Sequence, residues 1–311
     1  MSRTRIDQTR WRLGRRAFLG AAAAAALLAP GLRAEAADGT DDIFALRVIQ
    51  SGHSLTDPIV PMLNAFLTGL GMPASRPLPI TKSTIPGSPM QIRWEDGLDP
   101  ADADARRDIA DYDVLVVTER VSLANTLPWH DSEGYALRYF ENSWSRGRGG
   151  EGAETILYAS WIDVASGPDA ENLFNDPEAH VPFRERLPLE MARWQQIADH
   201  VNANRPEGSS PMLVIPGPLI MAAVYDAIAA GEAPGLTRIE DLFSDNIHIN
   251  ETGAYLIALA HFGVIYNRDP RMVPARIGGM GPLDAATADW MKELVHEVLL
   301  DYPDAGYTGG S

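Results

Sequence analysis

Five short runs of apolar residues lie along the chain, separated by longer stretches in which apolar residues recur about every 3.6 positions. The short runs predict β-strands at residues 45–50, 78–81, 114–117, 155–159 and 212–216. Each run is nearly continuous in apolar residues rather than alternating with polar ones. That pattern is typical of parallel strands that are covered on both faces.

The periodic stretches predict helices between and after these strands. They cover residues 58–70, 103–110, 133–144, 183–204, 219–230, 251–266 and 284–300. Strand followed by helix, repeated five times, predicts an α/β fold with a doubly wound parallel sheet. Ligands of such sheets bind at the carboxyl ends of the strands. Residues 146–154 are expected to form a flexible surface loop, and the tail from residue 305 is expected to be disordered.

The first 36 residues have a different composition, with a basic start, an alanine-leucine core and a small-residue ending. These features predict a signal peptide cleaved before Ala37, because Ala34-Glu35-Ala36 fits the A-x-A pattern. Residues 17–30 are too short and too weakly apolar to predict a stable membrane span. A single domain is expected over residues 37–311.

Arg15 and Arg16 in this leader resemble the arginine pair of a twin-arginine export signal. Gly14 and Gly20 depart from the strongest form of that pattern. The resemblance implies the twin-arginine export machinery as a partner and a periplasmic or secreted protein.

The charge of the chain is strongly acidic, and cleavage would make it more so. Loss of seven arginines and two acidic residues from the leader would take the formal net charge from −16 to −21. Such a surface repels nucleic acid and anionic lipid, so neither is expected as a partner. The absence of cysteine excludes disulfides and thiolate chemistry, and no spacing of residues suggests a metal or cofactor site.

Candidate chemistry begins at Gly52, His53 and Ser54, which directly follow the first predicted strand. Ser54 is either a cap of the next helix or a nucleophile facing the crevice at the sheet edge. Thr56 or Asp57 suffices as a cap, which leaves Ser54 free for the second role.

A serine nucleophile needs a base, normally a histidine that a third group orients. Among the seven histidines, His248 stands out because Asp245 precedes it by three residues in a polar turn before a predicted helix. The pair is either this base with its orienting acid or an ordinary surface turn.

Together, "SGHSLTD" and "SDNIHINETGAYLIA" resemble the first and last sequence blocks of the SGNH (GDSL-type) hydrolase superfamily. The resemblance assigns the nucleophile to Ser54, the base to His248 and the orienting acid to Asp245. It implies a flavodoxin-like, three-layer α/β/α sandwich with a central, mostly parallel five-stranded sheet. It also implies hydrolysis of acyl esters, commonly on carbohydrates or lipids.

Two departures from the family pattern concern the surroundings of the serine. His53 stands where the family usually has Asp, and it either tunes the serine or simply packs. The third block, Gly-x-Asn-Asp, is missing after residues 114–117, so Asn125, Ser122 or a backbone amide would have to replace its oxyanion-hole asparagine. Gly87 matches the glycine of the second block, whose amide faces the oxyanion.

Further candidates are Glu119 and Arg120 at the place of the missing block, either as contacts for a polar substrate or as an ion pair. Trp161 follows the fourth predicted strand and is expected either to stack on a sugar ring or to pack. We therefore predict an exported serine esterase that acts on a small-molecule or glycan ester, with an acetylated carbohydrate as the expected substrate. The alternatives are a noncatalytic carbohydrate-binding accessory protein on the same fold and an O-acyltransferase that uses the same serine.

Overall fold

The sheet is parallel throughout, as the sequence predicts. A computed structural model describes residues 43–172, 174–282 and 284–310, so the predicted leader lies outside the described residues. The strands are β1 (Val48–Gly52), β2 (Ile80–Thr84), β3 (Val114–Val117), β4 (Glu154–Ala159) and β5 (Leu213–Pro216). Their order is β2-β1-β3-β4-β5, and every neighbouring pair is parallel.

Helices cover both faces of this sheet. They are α1 (Ile59–Gly69), α2 (Met90–Glu95), α3 (Leu123–Thr126), α4 (Ser132–Gly150), α5 (Phe183–Asn204), α6 (Gly217–Ala230), α7 (Glu251–Tyr266) and α8 (Ala285–Asp301). No helix in the described ranges is long and apolar enough to cross a membrane.

Alternation along β3 shows how the strands bury both faces. Val114 and Val116 pack into the core that α1, α6, α7 and α8 cover. Leu115 and Val117 point the other way, into the core beneath α2, α4 and α5. Successive strand residues face opposite sides of a sheet, so a continuous apolar run contributes to the core on both faces. The three-layer α/β/α arrangement follows from this pattern.

The topology places a crevice at the carboxyl edge of β1. The chain leaves β1 toward β2 on one side and later returns to β3 on the other, so the strand order reverses between β1 and β3. Segments that follow β1 and β3 therefore diverge to opposite faces and open a gap at this edge.

The predicted helix over residues 103–110 is wrong, since only a single 3₁₀ turn forms, at Ile109–Asp111. The Asp104 carboxylate accepts hydrogen bonds from the amides of Arg106 (2.8 Å) and Arg107 (3.3 Å). Asp108 in turn accepts one from the amide of Asp104 at 2.9 Å. Such side-chain to backbone bonds compete with helix formation.

The two segments that were expected to be flexible or disordered make specific contacts in the described residues. α4 is bounded at Gly150, but Gly147, Arg148 and Gly149 have non-helical backbone angles, as the predicted loop implies, and the amide of Arg148 donates to the carbonyl of Tyr112 at 2.9 Å. In the tail, Tyr307 is buried, and its hydroxyl lies 2.7 Å from Nδ1 of His296. Glycine-rich composition did not reveal these long-range contacts.

Candidate active site

Ser54 lies in a tight turn between β1 and α1. A Cβ atom on Gly52 would stand 2.0 Å from Oγ1 of Thr56, so only glycine permits this close approach. The amide of Thr56 donates to the carbonyl of His53 at 2.8 Å and closes the turn. Among the described residues no side chain caps α1, so Ser54 is not a helix cap, and neither Thr56 nor Asp57 fills that role.

His248 lies in a loop that is fixed at both ends before α7. Phe243 and Ile249 form an antiparallel bridge across it, and the amide of Ser244 donates to the carbonyl of His248 at 2.8 Å. Asn250 caps α7, since its side chain accepts hydrogen bonds from the first two free amides of the helix. These bonds define the position of the imidazole relative to the sheet.

The two loops bring Ser54, His248 and Asp245 together, although 194 residues separate the serine from the histidine. Nε2 of His248 is 2.9 Å from Oγ of Ser54, and Nδ1 is 2.8 Å from Oδ2 of Asp245. The histidine and aspartate side chains are 42% and 56% exposed, so the group is open to a substrate from solvent.

Asp245 is set up to remain ionised. Partial desolvation raises the pKa of this carboxyl group, but hydrogen bonds from the amides of His248 and Ile247 and from the imidazole prevail and lower it to about 2. The carboxylate accepts the Nδ1 proton of His248, which leaves the Nε2 lone pair to accept a proton from Ser54. This is the arrangement that activates a serine hydroxyl.

His53 is buried, and its hydrogen bonds do not involve Ser54, His248 or Asp245. Its Nε2 lies 2.9 Å from the carbonyl oxygen of Glu119, and its Nδ1 accepts a hydrogen bond from the amide of Leu55 at 3.4 Å. A carbonyl can only accept, so Nε2 carries the proton. Burial, followed by the charge of Arg93, lowers the pKa of His53 to about 4. The neutral ring ties the nucleophile turn to the end of β3.

Beneath the turn lies Arg93, a fully buried residue of α2 that the sequence analysis missed. Its guanidinium donates to Oγ of Ser51 (3.1 Å), to the carbonyl of Ser88 (2.6 Å) and to the carbonyl of Thr118. It therefore joins the ends of β1 and β3 to the turn that follows β2. The short α2 helix had not been predicted, so nothing in the local pattern placed this arginine near the sheet edge.

Glu119 does not face a substrate, so that expectation was wrong. The residue is fully buried, and Oε1 accepts hydrogen bonds from the amides of Met90 (2.9 Å) and Arg120 (2.7 Å). Its carboxylate thus connects the start of α2 to the segment after β3.

Ser122 and Asn125 are likewise committed elsewhere. Oγ of Ser122 donates to Oδ2 of Asp176 at 2.8 Å, and Nδ2 of Asn125 donates to the carbonyl of Phe174 at 2.9 Å. Both side chains attach the long loop after β4 to the segment around α3. Neither replaces the missing asparagine of the third family block in this arrangement.

Trp161 is fully buried, so of its two expected roles the structure shows packing and not stacking on a sugar. Its ring packs edge-on against Tyr158 and Phe243, and its Nε1 donates to the carbonyl of Ile247 at 2.8 Å. Because Ile247 directly precedes His248, the indole supports the loop that carries the base.

Gly87 occupies an exposed turn after β2 with φ of +66°. The amide of Ile85, at the start of this turn, donates to the carbonyl of Gly52 at 3.1 Å, which places the turn beside the nucleophile turn. Within the described ranges, the backbone amides of Ser54 and Gly87 have no hydrogen-bond acceptor. Two uncommitted donors therefore lie at this edge of the sheet.

Replacing His53 with glutamine is expected to flatten the acid side of the stability profile. The folded-state pKa of about 4 lies below the unfolded value of 6.5, so the unfolded chain binds more protons between these pH values. Stability is therefore lost as pH falls through this window, and His53 accounts for up to about 3 kcal/mol of the loss. Urea unfolding of both proteins across the window measures the difference.

His180→Gln is the matched control, because His180 is exposed to solvent in the loop before α5. It should keep the wild-type slope. An unchanged slope in the His53 variant would show that the buried ring does not cause the pH dependence.

One comparison with a solved structure supports the fold. No family model matches the chain, and no curated protein matches it. A DUF4886 family protein from Bacteroides uniformis matches with a TM-score of 0.56 and 14% identity, over 83% of this chain and 96% of its own. A candidate SGNH hydrolase from Slackia heliotrinireducens matches with a TM-score of 0.41 and 18% identity, over 70% of this chain and 96% of its own.

At 14% identity, the match to the DUF4886 family protein bears on the α/β architecture alone. No group of three or more histidine, aspartate or glutamate side chains in the described residues could hold a metal ion. The chain is thus an α/β protein with a five-stranded parallel sheet and an open Ser54–His248–Asp245 group at its carboxyl edge.

Proposed function

We propose that this protein is a serine esterase that hydrolyses short acyl esters. The observation that carries the proposal is the continuous hydrogen-bonded series from Ser54 Oγ through His248 to Asp245, with distances of 2.9 and 2.8 Å. Its location at the strand-order reversal, exposed to solvent, fits a substrate-binding crevice.

In the proposed reaction, Ser54 Oγ attacks the acyl carbon while His248 Nε2 takes the hydroxyl proton. The carbonyl electron pair moves onto oxygen and forms the tetrahedral oxyanion. Collapse of this intermediate expels the alcohol, which receives the proton from His248, and leaves an acyl group on Ser54. Water, deprotonated by His248, then releases the carboxylic acid and restores the serine.

The finer parts of the proposal are export and a carbohydrate substrate. Export is supported by the leader-like residues 1–36. A sugar-stacking surface is supported by Trp129, which is 77% exposed and follows α3 near the same sheet edge. Trp129 has the free aromatic face that Trp161 lacks.

Turnover of para-nitrophenyl acetate by the purified protein tests the proposal. Wild-type protein is expected to show saturable hydrolysis, and Ser54→Ala is expected to lose it by about 10⁴-fold or more because the nucleophile is gone. Ser145→Ala is a matched control that should retain wild-type turnover, since Ser145 is exposed on α4 and its Oγ bonds only the carbonyl of Asn142 in the described residues. Hydrolysis that survives in Ser54→Ala would refute the assignment.

The same assay separates the two alternative functions. An O-acyltransferase would form an ester product when an acceptor alcohol is added, at the expense of free acetate. An accessory binding protein would show no turnover, and its affinity for glycans would be unchanged in Ser54→Ala.

A further inference from the structure

Arg120 follows β3 at the place where the third family block is missing, and the two residues before it contact β1 and the nucleophile turn. The amide of Thr118 donates to the carbonyl of Ser51 at 3.2 Å, and the carbonyl of Glu119 lies 2.9 Å from Nε2 of His53. The carbonyl that contacts His53, the residue before Ser54, therefore belongs to the peptide bond between Glu119 and Arg120.

Among the residues that the structure describes, the Arg120 guanidinium has a hydrogen-bond partner at only one of its three nitrogens. Nε donates to Oγ1 of Thr126 at 3.3 Å, which fixes the side chain along the segment that leads to α3. Glu119, the adjacent carboxylate, points inward toward two backbone amides. No described carboxylate lies within ion-pair distance of Arg120, and the residue is partly exposed. The terminal N–H groups thus remain available.

An ester hydrolase needs donors for the oxyanion, and most polar groups near the end of β3 are already engaged. Ser122 and Asn125 donate to Asp176 and Phe174, as described above. The amides of Ser54 and Gly87 provide two neutral donors. A guanidinium offers several N–H groups, and a charged donor forms a stronger hydrogen bond to an anion than a neutral one does.

We propose that Arg120 supplies the third oxyanion-hole donor, in place of the asparagine that the sequence lacks. This inference rests on the proposed serine-esterase function. As Ser54 Oγ bonds the acyl carbon, the carbonyl oxygen gains the π-electron pair, and a terminal N–H group of Arg120 donates to it. The guanidinium keeps its proton throughout, because His248 carries the proton that moves. Stabilisation is thus greatest in the transition state, where the negative charge develops.

Arg120→Met tests this role with a neutral substrate, para-nitrophenyl acetate. We expect kcat to fall by about 100-fold or more, the usual effect of losing one oxyanion donor, with KM changed by less than about threefold. Arg76→Met is the matched control, because Arg76 is exposed before β2, at the opposite edge of the sheet. This control should retain wild-type values.

Two further variants separate a catalytic role from a merely structural one. Arg120→Lys keeps a positive donor and should retain a kcat between those of wild type and Arg120→Met. In Arg120→Ala, added ethylguanidine should restore part of kcat, because it can occupy the vacated space. A residue needed only for folding would not respond to the added guanidinium.

Three results would overturn the inference. One is a kcat for Arg120→Met within about threefold of wild type, and another is an absence of rescue in both further variants. The third is a loss confined to KM for an ester that carries a carboxylate, which would make Arg120 a substrate-anion site instead. If wild-type protein itself shows no Ser54-dependent turnover, the proposed function fails and the Arg120 role falls with it. Normal turnover by wild type with an unaffected Arg120→Met contradicts the Arg120 role alone.

Discussion

His248→Ala is expected to lower kcat for para-nitrophenyl acetate by about 10⁴- to 10⁶-fold, because the variant has no group to take the serine proton. Nε2 of His248 contacts Ser54 Oγ at 2.9 Å and is the one described side-chain base that does so. Without it, Ser54 remains a neutral hydroxyl of low nucleophilicity. KM should change much less than kcat, since the imidazole acts on the proton rather than on substrate affinity.

The control for this variant is His200→Ala on α5. The imidazole of His200 lies beside the carboxylate of Glu133 on α4 and contacts none of the three site residues. It should retain wild-type kcat. Stability should fall little in His248→Ala, because the side chain is 42% exposed and its loop is held by backbone bonds. A kcat within tenfold of wild type would contradict the role of His248 as the general base.

Asp245→Asn is expected to lower kcat by about 10⁴-fold while leaving the loop intact. The asparagine carbonyl can still accept hydrogen bonds from the amides of Ile247 and His248, as Oδ1 of Asp245 does at 2.8 and 2.7 Å. Its NH₂ group would then face Nδ1 of His248 as a donor. Nδ1 would become the acceptor, and the proton would move to Nε2, which is the wrong tautomer for taking the serine proton.

Asp163→Asn is the matched control for this substitution. Asp163 follows β4 on the neighbouring loop, and its carboxylate accepts a hydrogen bond from the amide of Ala165 at 2.7 Å, without contact to His248. Steady-state kinetics of the two variants should therefore differ by orders of magnitude. Equal, small losses in both would indicate that the carboxylate of Asp245 has only a structural role.

Much of the fold was predictable because the strands are buried on both faces. Runs such as residues 114–117 are apolar throughout, and periodic stretches such as residues 183–204 coincide with α5 as observed. Elements governed by local side-chain bonds were not predictable in this way. The Asp104 side chain accepts hydrogen bonds from nearby backbone amides, and a turn forms there instead of the expected helix.

The proximity of Ser54, His248 and Asp245 was also predicted, but through the resemblance of their two motifs to family blocks, since each motif alone also fits a helix cap or a surface turn. The surrounding residues were not, because long-range packing determines their roles. Trp161 follows a strand, where an exposed platform and a buried support have the same sequence pattern, and the indole proves to be buried. Arg93 contacts the ends of β1 and β3 and the turn after β2 from a six-residue helix that periodicity alone cannot detect.

The most direct test of a serine nucleophile is to identify the residue that a fluorophosphonate modifies. The wild-type protein is incubated with the probe, digested and analysed by tandem mass spectrometry. The account predicts a single phosphonyl adduct on Ser54, lost in Ser54→Ala and strongly slowed in His248→Ala. An unmodified Ser54, or an adduct on a different residue, would contradict it.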